Sequence, residues 1–301
     1  MSEALPVTII GGYLGAGKTT MVNHLLRTAN GQRLAILVNE FGELPIDEDL
    51  IEAQDEDIIS IAGGCVCCSF GSDLTGALLE MAQLKPRPDH LIIESSGVAI
   101  PSAIAGSISL LEAYRVDGIV VLADAETVQQ SATDKYMSDT VMRQITDANI
   151  LILNKTDLVA EGALAQTFDW LKAQNPGVRV VTAQQGVVAP QIVLGSFLER
   201  AAQPGPFHHT ENMEMHTLAV PAPMDAHALA QRLAETGAGL VRAKGFVTSH
   251  CGQKQLIQVV GNRWAVSDAP DDRADGIVCL GFRGQIADWI TKGRLDALLS
   301  S

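Results

Sequence analysis

Lys18 and Thr19 close a run of spaced glycines, Gly12-Tyr13-Leu14-Gly15-Ala16-Gly17-Lys18-Thr19-Thr20. The run fits G-x-x-x-x-G-K-[ST], a loop whose backbone N–H groups close around phosphate oxygens. Lys18 is expected to reach the β- and γ-phosphates and Thr19 to hold Mg²⁺. The expected phosphate-binding set is Gly12, Gly15, Ala16, Gly17, Lys18, Thr19 and Thr20.

Three further stretches have the residue types for chemistry. Asn154-Lys155-Thr156-Asp157 follows an apolar run. A carboxylate there can accept from N1–H and the exocyclic amine of guanine, a donor pair that adenine lacks. Glu94-Ser95-Ser96-Gly97 also follows an apolar run. Glu94 suits Mg²⁺ or its water shell, and the Gly97 N–H suits a γ-phosphate oxygen, which makes this turn a phosphate sensor. Lys18, Glu94 and Gly97 form the expected catalytic group, with water as acceptor in a reaction run by positioning and electrostatics. Neither a water-positioning residue nor an arginine finger is evident, so slow intrinsic hydrolysis is expected.

Gly64-Cys65-Val66-Cys67-Cys68 places three thiols within four residues. Thiolates favour Zn²⁺, and a tetrahedral site needs a fourth ligand: Glu43, a water or a group from a client. Redox chemistry and simple packing are the other readings of these thiols.

The elements that must position these groups are short apolar strands alternating with amphipathic helices. Pro6–Ile10, Arg33–Val38, His90–Glu94, Val116–Leu122 and Ile150–Leu153 read as strands; Thr20–Ala29, Asp73–Gln83, Pro101–Ala113 and Asp139–Asp147 read as helices. This alternation predicts an α/β domain with a mostly parallel sheet flanked by helices, whose ligands sit beyond the C-terminal strand ends. Residues 1–203 are assigned to this P-loop domain and 204–214, with its Pro-Gly-Pro, to a linker. Residues 215–301 are assigned to a small α+β domain with an antiparallel sheet and a last helix over Gln285–Leu299.

A net charge of −14 argues against nucleic acid and anionic membranes as partners. No eighteen-residue apolar run and no signal-peptide pattern is present, so a cytoplasmic location is expected. The cysteine count is five, and odd, which speaks against a disulfide framework. Cys251 and Cys279 read as packed or idle.

Taken together, Gly12–Thr20, Asn39-Glu40-Phe41-Gly42-Glu43, Gly64–Cys68, Glu94–Gly97, Asn154–Asp157 and Arg242-Ala243-Lys244-Gly245 resemble the CobW-like GTP-dependent metallochaperones, relatives of the nickel-insertion GTPases. The resemblance implies GTP hydrolysis coupled to delivery of a transition metal, most often Zn²⁺ or Co²⁺, to a metal-requiring client protein. It implies Thr19, Glu40 and Glu94 around Mg²⁺, and Cys65, Cys67, Cys68 and Glu43 around the delivered metal. It also implies Asn154, Lys155 and Asp157 around guanine, and leaves a homodimer open. Two features depart from it. Ile61-Ala62-Gly63-Gly64 stands where relatives carry an acid and an Asn, and the His-rich run is reduced to His208, His209 and His216, read as linker residues or a weak loading site. The alternative function is a metal-responsive regulatory GTPase, or an activator of a cobalamin- or metal-dependent enzyme without direct delivery.

Overall fold

A computed structural model describes residues 4–28, 32–39, 58–63, 72–195, 213–220, 223–271 and 273–292. The chain divides into two units, Met1–Leu194 and Gly195–Ser301. The first runs β1 (Leu5–Gly12), α1 (Lys18–Thr28), β2 (Leu34–Asn39), β3 (Ile58–Gly63), α2 (Ser72–Met81), β4 (His90–Glu94), α3 (Pro101–Ile108) and β5 (Tyr114–Asp124). It continues through α4 (Val128–Ser131), α5 (Ser138–Asp147), β6 (Ile150–Asn154), α6 (Glu161–Gln174), β7 (Arg179–Thr182) and α7 (Pro190–Leu194).

The seven strands form one sheet in the order β3-β2-β4-β1-β5-β6-β7, and every pairing is parallel. Parallel strands need both faces covered, which is why β4 and β6 are buried along their full length. Val7 and Ile9 of β1 point into a core shared with Leu78 and Met81 of α2, Ile104 and Ile108 of α3, and Val141 and Ile145 of α5. The alternate residues Thr8 and Ile10 are also buried, and α1 packs against β1 and β4. With all strands running one way, their C-terminal ends share one edge. That edge carries Gly12, Asn39, Gly63, Glu94, Asp124 and Asn154.

α3 stops at Ile108 rather than reaching Ala113: Leu110 N and Leu111 N bond three residues back, to Ser107 O and Ile108 O, and tighten the chain into a closing turn.

The second unit contains β8 (Met213–Leu218), α8 (Ala226–Ala234), β9 (Leu240–Thr248), β10 (Lys254–Val260), β11 (Arg263–Asp268), β12 (Gly276–Phe282) and α9 (Asp288–Thr291). Its five strands are ordered β11-β10-β9-β12-β8, and all are antiparallel. Leu229 and Leu233 of α8 and Ile290 of α9 pack on the sheet face bearing Ala243, Ile257, Val259 and Cys279. Asp225 caps α8, its Oδ1 accepting from His227 N and Ala228 N at 2.9 and 3.2 Å. β8 begins at Met213, and the rest of the expected linker lies outside the described residues. The last helix opens at Asp288, with Gln285 held in a turn by Phe282 O. No described helix is long and apolar enough to cross a membrane.

Candidate nucleotide-binding site

The glycine loop joins the end of β1 to the first residue of α1, the arrangement that sets backbone N–H groups and a helix N-terminus together for an anion. Lys18 is buried, and its Nζ donates to the Tyr13 carbonyl at 3.4 Å, which folds the ammonium back over the loop. The Thr19 hydroxyl donates to Oε1 of Glu94 at 2.7 Å, and Glu94 is buried at the tip of β4. A hydroxyl and a carboxylate side by side at the foot of a phosphate loop supply the all-oxygen donor chemistry that Mg²⁺ takes, so the residues present fit that ion.

Asn154, at the end of β6, is 1% exposed and bonded at both ends of its amide. Its Nδ2 donates to Ala16 O at 2.9 Å, and its Oδ1 accepts from Gly186 N at 2.9 Å. Gly17 is required at this contact. It has φ +100°, and a Cβ there would stand 2.4 Å from Asn154 Nδ2.

The next residue, Lys155, is in the left-handed region at φ 59° and donates to Asp124 Oδ2 at 2.7 Å. Thr156 anchors the following turn on Ala183 O through both its N–H (3.2 Å) and its hydroxyl (3.1 Å). Asp157 lies in that turn with its side chain exposed. Three segments distant in sequence therefore frame the Asn154–Asp157 loop: the end of β5, the end of β6 and the turn after β7.

The turn after β4 is fixed from several sides. Ser95 N donates to Ile10 O at 2.9 Å, and Ala99 N to Ser96 O at 3.0 Å. Gly97 lies against the glycine loop so closely that a Cβ would be 2.8 Å from Leu14 N. Gln144 of α5 donates to the carbonyls of Gly97 and Ala99 at 3.1 and 2.9 Å.

The structure thus brings together Gly12–Thr20, Glu94–Gly97 and Asn154–Asp157. Asp124, Gln144 and Gly186 join them without having been singled out in the sequence. Asp124 ends an apolar strand as Glu94 does, and Gly186 follows β7; those were the signals available for two of them. For Gln144, mid-helix, there was none.

The expected metal residues Glu40, Glu43, Cys65, Cys67 and Cys68 lie outside the described residues, as do His208 and His209. Among the described residues no group of three or more His, Cys, Asp or Glu could hold a metal ion. His216 belongs to β8 rather than to a linker: it pairs with Cys279 in the sheet, and its Nε2 is 3.6 Å from Glu214 Oε2. Burial pushes the Cys279 thiol up to about 12, whereas the Ser249 hydroxyl 3.1 Å from exposed Cys251 helps hold that thiol below its ordinary value.

A parallel sheet with a phosphate loop after its first strand, an acidic turn after β4 and an Asn-Lys-x-Asp turn after β6 defines a P-loop nucleotide-binding protein. The chain belongs to the CobW/HypB/UreG family: the profile of that family's nucleotide-binding domain matches residues 6–182, and the profile of the cobalamin synthesis protein cobW C-terminal domain matches residues 213–292.

Among curated proteins it is 29% identical over 308 residues to the zinc chaperone CobW of Sinorhizobium sp, covering 86% of each chain. It is 32% identical over 234 residues to the zinc-regulated GTPase metalloprotein activator 1 of Dictyostelium discoideum, covering 65% of this chain and 49% of that one. It is 33% identical over 165 residues to the zinc chaperone YjiA of Escherichia coli, covering 52% and 51%. The chain therefore spans about half the length of the latter two relatives. A crystal structure of a Zn(II)-bound triple mutant of the YjiA GTPase shares the fold, with a TM-score of 0.50 at 21% identity over 94% of this chain and 95% of that one.

Proposed function

We propose that the protein is a GTP-hydrolysing metallochaperone that binds Zn²⁺ at Cys65, Cys67 and Cys68 and hands it to a metal-requiring client protein in the cytoplasm. The observation that carries the nucleotide half is the Thr19–Glu94 hydrogen bond at the foot of the phosphate loop. Gly12, Gly15, Ala16, Gly17, Lys18, Thr19 and Thr20 hold the phosphates, and Asn154, Lys155 and Asp157 hold guanine. Thr19 and Glu94, with Glu40, would hold Mg²⁺, which would supply charge neutralisation to the phosphates. Lys18 sets the position of the phosphates, and the N–H of Gly97 meets the γ-phosphate oxygen on which charge develops during transfer to water. Domain limits of 1–203 and 215–301 go with this reading.

Zinc as the cargo is supported by the names of the relatives and by the three neighbouring thiols. The strand register supports a link between cargo and nucleotide. Asn39 pairs with Gly63, and Val38 with Glu94, so the segments carrying Glu40–Glu43 and Cys65–Cys68 begin on neighbouring strands at the edge that bears Glu94. GTP and GDP would then set two metal affinities. The test is a competition titration of Zn²⁺, Co²⁺ and Ni²⁺ with a GTP analogue and with GDP. Equal metal affinity in the two states removes the coupling.

The Dictyostelium relative is named a zinc-regulated GTPase metalloprotein activator, which accords also with a second reading, activation of a metal-dependent enzyme without direct delivery. Loading of an apo-client from the wild-type chain but not from Cys67→Ala supports delivery; client activation without metal transfer supports the activator.

A further inference from the structure

We infer that Gln144 is a positioning residue for GTP hydrolysis, holding the Glu94–Gly97 turn against the phosphate loop. The inference rests on the proposed GTPase reading and adds a residue that no motif contains.

Gln144 sits on α5 between Val141 and Ile145, both of which point into the apolar core. At 1% exposure it is as buried as they are. A primary amide in such a place costs free energy unless its hydrogens are used. Both are: Nε2 reaches Gly97 O at 3.1 Å and Ala99 O at 2.9 Å, one carbonyl for each hydrogen.

Those two carbonyls belong to the last residue of the turn that matters most at the site and to the segment that leaves it. The turn's first residue, Glu94, accepts from Thr19, and Gly97 is pressed against Leu14 with no room for a Cβ. Gly97 is thus gripped between the phosphate loop on one side and Gln144 on the other. A turn released on the Gln144 side moves its N–H groups relative to Lys18 and Thr19.

The clamp also reaches the base side. α5 runs through Ala148 and Asn149 into β6, whose last residue, Asn154, holds Ala16 O of the phosphate loop. Asn149 is itself fixed, its Oδ1 accepting from Ile119 N at 2.8 Å. Gln144 therefore ties the γ-phosphate turn to the same helix–strand unit that carries Asn154–Asp157. Two carbonyls that needed only a partner could have taken one from a loop; here the partner comes from a helix locked to another wall of the site.

The test compares wild type with Gln144→Leu and Gln144→Glu in the full chain. The readings are single-turnover GTP hydrolysis, KM, the affinities for GDP and a non-hydrolysable GTP analogue, and melting temperature. In Gln144→Leu, kcat is expected to fall about tenfold to a hundredfold, the worth of one to two hydrogen bonds, with GDP affinity within about twofold of wild type. In Gln144→Glu the introduced carboxyl donates one hydrogen when neutral and none when ionised. Its kcat relative to wild type should therefore rise as pH falls from about 8 to about 6.

Unchanged kcat in Gln144→Leu with only a lower melting temperature would show a structural role and overturn the inference. If Gln144→Leu does not fold, a flat pH dependence of the Gln144→Glu ratio overturns it instead. A wild-type chain that neither binds nor hydrolyses GTP defeats the proposed function itself, and this inference with it.

Discussion

Thr19 and Glu94, 75 residues apart in sequence, share a 2.7 Å hydrogen bond from the first turn of α1 to the tip of β4. The bond measures how closely the phosphate loop and the acidic turn approach one another. Removing either group should cripple the reaction while sparing the fold. Thr19→Ala and Glu94→Gln are each expected to slow single-turnover GTP hydrolysis by about 10²–10³, the loss seen when one charge-stabilising group is deleted. A loss below about threefold in either variant would remove Thr19 and Glu94 from the site.

Asn154 and Asp157 are predicted to fail differently, although only Lys155 and Thr156 separate them. Asn154→Ala strands Ala16 O and Gly186 N in a buried position, at a cost of about 1–3 kcal/mol for each unsatisfied group. Its urea midpoint should drop with or without nucleotide. Asp157 is exposed, so Asp157→Asn should keep the midpoint and instead lose GTP affinity by about a hundredfold or more while gaining XTP, whose C2 carbonyl suits an amide donor. Retained GTP preference in that variant would take Asp157 out of base recognition.

Zinc binding should depend on nucleotide state. A hundredfold difference in Zn²⁺ affinity between the GTP-analogue and GDP forms corresponds to about 2.7 kcal/mol, within reach of a few γ-phosphate contacts. Linkage then requires Zn²⁺ to change the GTP-analogue/GDP affinity ratio by the same factor. Both titrations should lose this dependence in Cys67→Ala.

Alkaline pH should weaken both units through buried groups. The Cys279 thiol is held up to about 12 by burial, whereas an unfolded thiol ionises near ~8.5. Between those values the unfolded chain holds fewer protons. This contribution is therefore complete below ~8.5 and is lost as pH rises toward 12. Tyr114, also pushed up to about 12 by burial, adds a loss in the first unit that starts near its ordinary value of 10.0. Urea midpoints should fall from about pH 9 upward, and Cys279→Val should flatten the first part of the decline. In the native protein at neutral pH a maleimide should modify Cys251 and leave Cys279 untouched.

Five strands of the first unit and the three glycine- and acid-bearing motifs that follow them were legible in the sequence because each is local. β-branched runs mark buried parallel strands, and the glycines and acids that follow them mark strand ends. What escaped was long-range or exposed. Lys155 with Asp124, Asn154 with Gly186 and Gln144 with Gly97 are contacts over 31, 32 and 47 residues, and nothing in the immediate neighbourhood of any of these residues announces its partner. β11 escaped because five of its six residues are exposed, so Arg263–Asp268 has no alternation to read.

The pairing of Asn39 with Gly63 makes the sheet a ruler. In a parallel ladder each residue advances its strand by about 3.3 Å. One residue added within β3, ahead of Gly63, would carry Gly63 one position past Asn39 and turn the rest of the strand to the opposite face. Added between Glu43 and Asp57, the same residue would leave that register unchanged. Insertion scanning should therefore find tolerance ahead of β3 and abrupt loss of zinc binding within it.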